Sequence, residues 1–205
     1  QVDELDLPAF DFFAWDARGH GRTPGARGDS PSFATSVRDL QTFSQHIAAV
    51  HGVAPEDQAV IAQSVAAVLA AAWVHDYAPP IRAQVLASPA LSVKLYVPFA
   101  LPALAAARRL RGNFFVTSYV KPGLLTRDPQ RQASYASDPL IARSISVNIL
   151  LGLHATSRRV IADAQAIVVP TQLLVSGADW VVRLAPQHEF FARLGAAVKE
   201  RHVYP

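Results

Sequence analysis

Residues 60–73 read VIAQSVAAVLAAAW, and the reading of this stretch decides the rest. Val60 and Ile61 prefer a pleated strand, whereas the alanines and leucine after Val65 are strong helix formers. The switch between the two falls on Ser64. A tight strand-to-helix turn would lift its hydroxyl clear of the sheet and set it beside the free N–H groups of a helix start, as a nucleophile requires. The other reading is a serine that caps a buried helix. A tight turn needs small residues two before and two after the serine. Here Ala62 and Ala66, with Ala67 next, stand where glycines are usual. On the pentapeptide alone both readings stay open.

Outward from this stretch, the chain has the rhythm of alternating strands and helices. Residues 10–15 (FDFFAW) form a short aromatic run of β character ending at Asp16, followed by the Gly/Pro/Arg-rich loop DARGHGRTPGARGDSP. From Ser32 the apolar residues Phe33, Val37, Leu40, Phe43, Ile47 and Val50 recur at helical spacing, and Gly52 and Pro55 close that helix. Strands are expected at residues 58–63 and 82–87, with a helix over 65–74 between them. Near-continuous apolar runs of this kind predict a parallel sheet covered by helices on both faces. Residues 91–169 break the rhythm. They predict a mostly helical insertion, with helices over 101–110 and 140–154 and no strand before Ile167. The rhythm resumes with a strand at 171–176 (TQLLVS), the loop GADWVV, a helix over 186–198 and a last strand at 201–204. The expected organisation is therefore a core of 1–90 and 170–205 around a cap of 91–169.

Composition narrows the function classes. With 205 residues, 51% of them hydrophobic and 17% charged, the chain describes a globular core, not a disordered segment. The net charge of +3 comes from scattered arginines, not from the concentrated stripe that binds nucleic acid. The absence of cysteine excludes disulfides, thiolate metal sites and a cysteine nucleophile. No apolar run reaches the roughly 18 residues of a membrane span, and the acidic start QVDELDLPAF lacks the basic and apolar regions of a signal peptide. A cytoplasmic setting is the expectation.

The ordered set Asp16-Ala17-Arg18-Gly19-His20-Gly21, Gln63-Ser64-Val65, Ser88-Pro89-Ala90, Asp138-Pro139-Leu140 and Ser176-Gly177-Ala178-Asp179 resembles the α/β-hydrolase superfamily. Within it, the likeness is to monoacylglycerol lipase and lysophospholipase-like serine hydrolases, over nearly the whole chain. The resemblance implies that Ser64 is the nucleophile, that the Val65 backbone N–H is one oxyanion donor, and that Asp179 is the acid that orients a catalytic histidine. It also implies a cap that shapes an acyl pocket, a small-molecule or lipid ester as substrate, and no metal or organic cofactor. Asp16, Gly19, His20 and Gly21 read as structural organisers of their loop. The Arg27-Gly28-Asp29 tripeptide reads as chance, and His75-Asp76 as structural, because it lies more than two helical turns beyond Ser64.

The base is the missing piece. Similar enzymes carry it in a loop past the last strand. His202 is the one histidine near the end, but it falls within the expected strand, which makes it a poor base, and His188 at a helix start is poorer still. The strands that similar proteins place before FDFFAW, with the loop that supplies a second oxyanion donor, are also not matched. The expectation is a central portion of a larger hydrolase chain. Two other classes compete with the enzyme. One is a non-catalytic module of the same fold that binds a ligand or partner. The other is a protein working by peripheral membrane contact, which predicts lipid association independent of Ser64.

Overall fold

The computed structural model describes residues 5–205; residues 1–4, which open the acidic N-terminal stretch, lie outside it. Its centre is a four-stranded, wholly parallel sheet of β1 (Ala59–Gln63), β2 (Ala83–Ala87), β5 (Thr171–Ser176) and β6 (Lys199–Tyr204), in that spatial order. Parallel neighbours need a crossover. Helix α2 (Val65–Tyr77) connects β1 to β2, and α6 (Leu184–Arg193) connects β5 to β6. Between β2 and β5 the chain leaves the sheet for residues 91–169. There it forms α3 (Ala100–Arg111), α4 (Pro129–Ser137) and α5 (Val147–Ala162), with β3 (Phe115–Thr117) and β4 (Ser144–Ser146) pairing antiparallel.

Helix α1 (Phe33–His51) starts and stops where its sequence dictates. Ser32 accepts a hydrogen bond from the Thr35 amide as N-cap, and Gly52 takes the left-handed conformation (φ 70°) that ends the helix. Helix α2 is almost wholly buried, from Ala67 to Val74, because it packs against α1, α5 and the sheet at once. Its small alanines allow that close approach. Trp73, fully buried, donates from its indole nitrogen to Gln41 on α1 at 2.6 Å. Burial of a side chain this size stabilises by roughly 3 kcal/mol or more.

Every fully buried strand residue (Ala62, Gln84, Leu86, Thr171, Leu173 and Val175) lies on one side of the sheet, as period-two alternation requires. The parallel sheet packed with helices agrees with the fold expected from the apolar runs. Ile61, Glu200, His202 and Tyr204 stand exposed on the second side.

Four expectations need correction. Residues 10–15 are not a strand: FDFFAW pairs with no sheet edge, and instead Phe13 stacks on His51 and Trp15 on Phe43 of α1. Aromatic β preference is satisfied by packing on a surface as well as by a ladder. The cap is not free of strands, since β3 and β4 form a three-residue pair too short to show alternation. Its irregular middle holds α4, begun by Asp128 accepting from the Gln130 and Arg131 amides. Finally, the cap helix expected from 140 begins at Val147, because Ser146 caps it through the Ile149 amide, and it runs on to Ala162. Leu153 and Val160 of α5 join the main core, so this helix belongs physically to both the cap and the sheet layer.

Candidate active site

The three loops at the C-terminal ends of β1, β2 and β5 lie along one edge of the sheet and are stitched together there. The Ser64 amide donates to the Ala87 carbonyl (2.9 Å), the Ser88 amide to Leu174 (2.7 Å), and the Gly177 amide to Tyr204 (2.6 Å). The carboxyl edge of a parallel sheet is where ligands bind in open α/β folds.

Ser64 adopts φ 55° and ψ −119°, a backbone region that side-chain-bearing residues avoid. Its hydroxyl makes no capping hydrogen bond to α2. The cap reading of Ser64 is therefore not met: the serine stands at the cap position with its side chain released from the helix. Three backbone bonds hold the strained residue in place, the first being the bond from its amide to Ala87. Its carbonyl accepts from the Ala90 amide at 3.0 Å and from Val68 at 3.4 Å. The Val65 N–H belongs to the first helical turn, whose donors have no acceptor inside the helix. That leaves a positive helix end beside the Ser64 hydroxyl. Of the two small residues flanking the turn, Ala62 is buried and Ala66 is open.

Asp179 sits in the loop after β5. Its Oδ1 accepts from the Val181 amide (2.7 Å) and the Val182 amide (2.8 Å), while Oδ2 takes no hydrogen bond from a described residue. Gly177 makes this loop feasible: a Cβ there would lie 2.8 Å from the Tyr204 carbonyl oxygen. With β2 between them, β1 and β5, whose ends carry Ser64 and the Asp179 loop, lie roughly 10 Å apart. One imidazole, hydrogen-bonded at both ends, is what a catalytic triad places in the gap between two such loops.

None of the seven histidines occupies it. His202 pairs with Leu174 in the ladder, two residues below the end of β5, and its side chain faces Glu200 at 3.6 Å. His188 meets Arg201. His75 is held by Asp76 (2.7 Å) and Asp163 (2.9 Å) at the far end of α2, about 16 Å from Ser64 by helix rise. His20 bonds the Arg18 carbonyl, and His46 and His51 lie against each other on α1. His154 lines an apolar cleft on α5, where burial and the charge of Arg158 lower its pKa.

The other sequence features fall into place as structure. Asp16 accepts from the Arg22 amide at 2.9 Å and so pins the loop that contains Gly19, His20 and Gly21. The Arg27-Gly28-Asp29 tripeptide is not displayed. Gly28 (φ 69°) packs directly under the Ser144 carbonyl, and Asp29 accepts from Asn113.

Several neighbours of the site were given no role by the sequence. Ser88 has φ 41° and its hydroxyl accepts from the Ser176 amide, tying the second loop to the third. Tyr119, from the irregular cap stretch, stacks edge-on against Tyr96 at 5.6 Å. Burial, reinforced by the negative charge available to Tyr96 and Asp179, pushes its pKa up to about 12, so its hydroxyl stays protonated. A cleft lined by Leu91, Val93, Leu95, Leu101, Leu150 and Leu153 opens beside Ala90, the residue bonded to the Ser64 carbonyl. Of these, only Ser88 and Ala90 belonged to the set of residues that carries the resemblance, and neither was given a role there.

Comparison with known proteins agrees with this architecture. The family described as "Serine aminopeptidase, S33" matches residues 1–205. The uncharacterized protein YnbC of Escherichia coli is 59% identical over 204 residues, covering all of this chain and 35% of YnbC. The chain thus spans about a third of that relative's length. A monoacylglycerol lipase of Mycolicibacterium smegmatis is 24% identical over 202 residues, covering 94% of this chain and 69% of that protein. Among solved structures, the monoacylglycerol lipase of Paleococcus ferrophilus superposes with a TM-score of 0.81 at 23% identity, covering 93% of this chain and 70% of that one. A parallel sheet bearing a strained serine between strand and helix, matched by one family over the whole chain, leads to one conclusion: the protein belongs to the serine aminopeptidase S33 family and has the α/β-hydrolase fold.

Proposed function

We propose that this chain is the core of a serine hydrolase that cleaves carboxylic esters with an apolar acyl chain, of the monoacylglycerol or lysophospholipid type. The observation that carries the reading is the backbone of Ser64, held at φ 55° with its hydroxyl uncommitted at the start of a buried helix. Strain of this kind costs on the order of 1–3 kcal/mol and persists where the surroundings enforce it. A serine that served only as a cap would gain nothing from it.

In the reaction, Ser64 Oγ attacks the ester carbonyl carbon as its proton passes to the base. The carbonyl oxygen becomes an oxyanion facing the Val65 N–H. Collapse of this intermediate breaks the C–O bond to the alcohol, which takes the proton from the base and leaves an acyl ester on Ser64. Water then repeats the sequence and frees the acid. Asp179 would orient the imidazole and stabilise its charged form. The cleft beside Ala90 holds only about 20 Å³ as it stands, too little for an acyl chain, so the apolar acyl group rests on the likeness to the monoacylglycerol lipases. The base required is an imidazole from outside these residues, entering between Ser64 and the free Oδ2 of Asp179. The arrangement of the seven histidines is also what favours the second reading, a ligand-binding module without catalysis.

Fluorophosphonate labelling of the full-length protein separates the two. Labelling present in the native protein and lost in Ser64→Ala supports the hydrolase. An unlabelled native protein refutes it and leaves the binding module. No helix among the described residues is long and apolar enough to cross a membrane.

A further inference from the structure

Three successive carbonyl groups of the loop that carries Asp179 are each bonded by the same short segment of the cap entrance. The Asp179 carbonyl accepts from Lys94 Nζ at 2.6 Å, the Trp180 carbonyl from the Tyr96 hydroxyl at 2.7 Å, and the Val181 carbonyl from the Lys94 amide at 2.8 Å. The pairing continues with the Arg183 amide on the Ser92 carbonyl (2.9 Å) and an antiparallel bridge between Val93 and Val182. Residues 92–96 and 179–183 thus lie as two short antiparallel straps.

We infer that Lys94 and Tyr96 are positioning residues for the proposed hydrolase, holding the Asp179 loop in the one arrangement that leaves its carboxylate oriented toward the base. This rests on the Ser64–Asp179 reading above. The Val181 and Val182 amides that hold Asp179 Oδ1 belong to the residues paired with the strap. A loop that lost the strap would lose both anchors of the carboxylate together.

The strap is itself fixed from its other side. Leu91 is buried, and Leu91, Val93 and Leu95 line the apolar cleft, while Lys94 and Tyr96 reach the acid loop. Alternate side chains of an extended segment point to opposite sides, so the same short segment borders the cleft and clamps the acid. Tyr119 braces Tyr96 by its edge-on ring contact.

The test uses the full-length protein and the variants Lys94→Met, Tyr96→Phe and their combination, with Lys94→Arg as the conservative control. Each change removes one donor and keeps most of the side-chain volume. Two quantities are read: hydrogen exchange at the Val181 and Val182 amides, and kcat and KM on p-nitrophenyl butyrate. The double variant is expected to exchange these amides about 10-fold faster. Its kcat should fall about 10- to 100-fold with KM within about twofold of the native value, because orientation and not ground-state binding is lost. Lys94→Arg should recover most of the rate. Unchanged exchange overturns the inference, as does faster exchange with native kcat. If the native protein neither hydrolyses the ester nor labels with fluorophosphonate, the hydrolase reading fails separately. Unchanged exchange would then show that the strap does not hold the loop, and faster exchange would reduce its role to a structural one.

Discussion

The loop after β1 and the loop after β5 do comparable jobs by different means. At Ser64 most of the geometry is local, one residue in a disfavoured conformation with two small neighbours and the start of a helix, and the loop after β2 adds backbone bonds through Ala87 and Ala90. At Asp179 the backbone is held from a distance, by donors some 85 residues earlier in the chain and a contact with the end of β6. A nucleophile must project from a rigid edge, which a strained turn between strand and buried helix achieves. An orienting acid must sit at a set distance from that edge, and a loop holds such a position only if other parts of the fold grip it. The difference teaches that one half of the candidate site is encoded largely where it lies, with help from the neighbouring loop, and the other half is assembled from farther away.

The strongest challenge to this contrast is Asp179→Asn. The amide keeps an oxygen for the Val181 and Val182 N–H groups, so the loop should stay folded and the melting temperature should stay within about 1 °C, a change well under 1 kcal/mol. If Asp179 orients the base, kcat should nonetheless fall by about 10³- to 10⁴-fold. A rate within threefold of native would remove Asp179 from the site. Ser64→Gly probes the opposite region. Glycine adopts φ 55° without the Cβ penalty, so the variant should be more stable than native by roughly 1 kcal/mol while losing all labelling. A less stable Ser64→Gly protein in urea denaturation would show that the elbow is not strained.

The smallest effect comes from a region that serves neither loop. Asp76 at the end of α2 accepts from Arg159 on α5 at 2.5 and 2.9 Å and from His75 at 2.7 Å. Burial pushes its pKa up, but the hydrogen bonds and charges of Arg159 and His75 outweigh that and hold it below the ordinary carboxylate value. A lowered carboxylate contributes stability that is intact above its unfolded pKa, near 4, and lost as pH falls through the folded value. Arg159→Ala should therefore reduce stability at pH 7 by under about 1 kcal/mol, since the pair is partly exposed. The native advantage should vanish on acidification below pH 4. An advantage that grows on acidification would contradict this sign.

How far the site could be read in advance follows the same division. The strand at Ala59–Gln63, helix α2 and the capped helix α1 were legible because residue preference, periodicity and caps all agree there. The aromatic run FDFFAW was not, since β preference cannot say whether a partner strand is present or whether rings settle on a helix instead. Cap strands of three residues leave no period to detect. Ser64, Asp179 and Ser88 fall in short motifs, whereas Lys94, Tyr96 and Tyr119 do not. A lysine in a cap-entrance segment looks like any surface lysine until the fold brings Asp179 beside it.

By itself the amino-acid order determined that this is an alternating α/β chain with a serine at a strand-to-helix switch, an acid in a later loop and, between them, a stretch that breaks the alternation. Those properties depend on local preference and spacing, which act over a few residues. Only the tertiary structure decided that the serine is strained and uncapped, that no histidine here reaches it, and that the cap entrance grips the acid loop. Each of these depends on which distant backbone groups meet. That is settled by packing the whole core, where burial outweighs the small local preferences of any single segment.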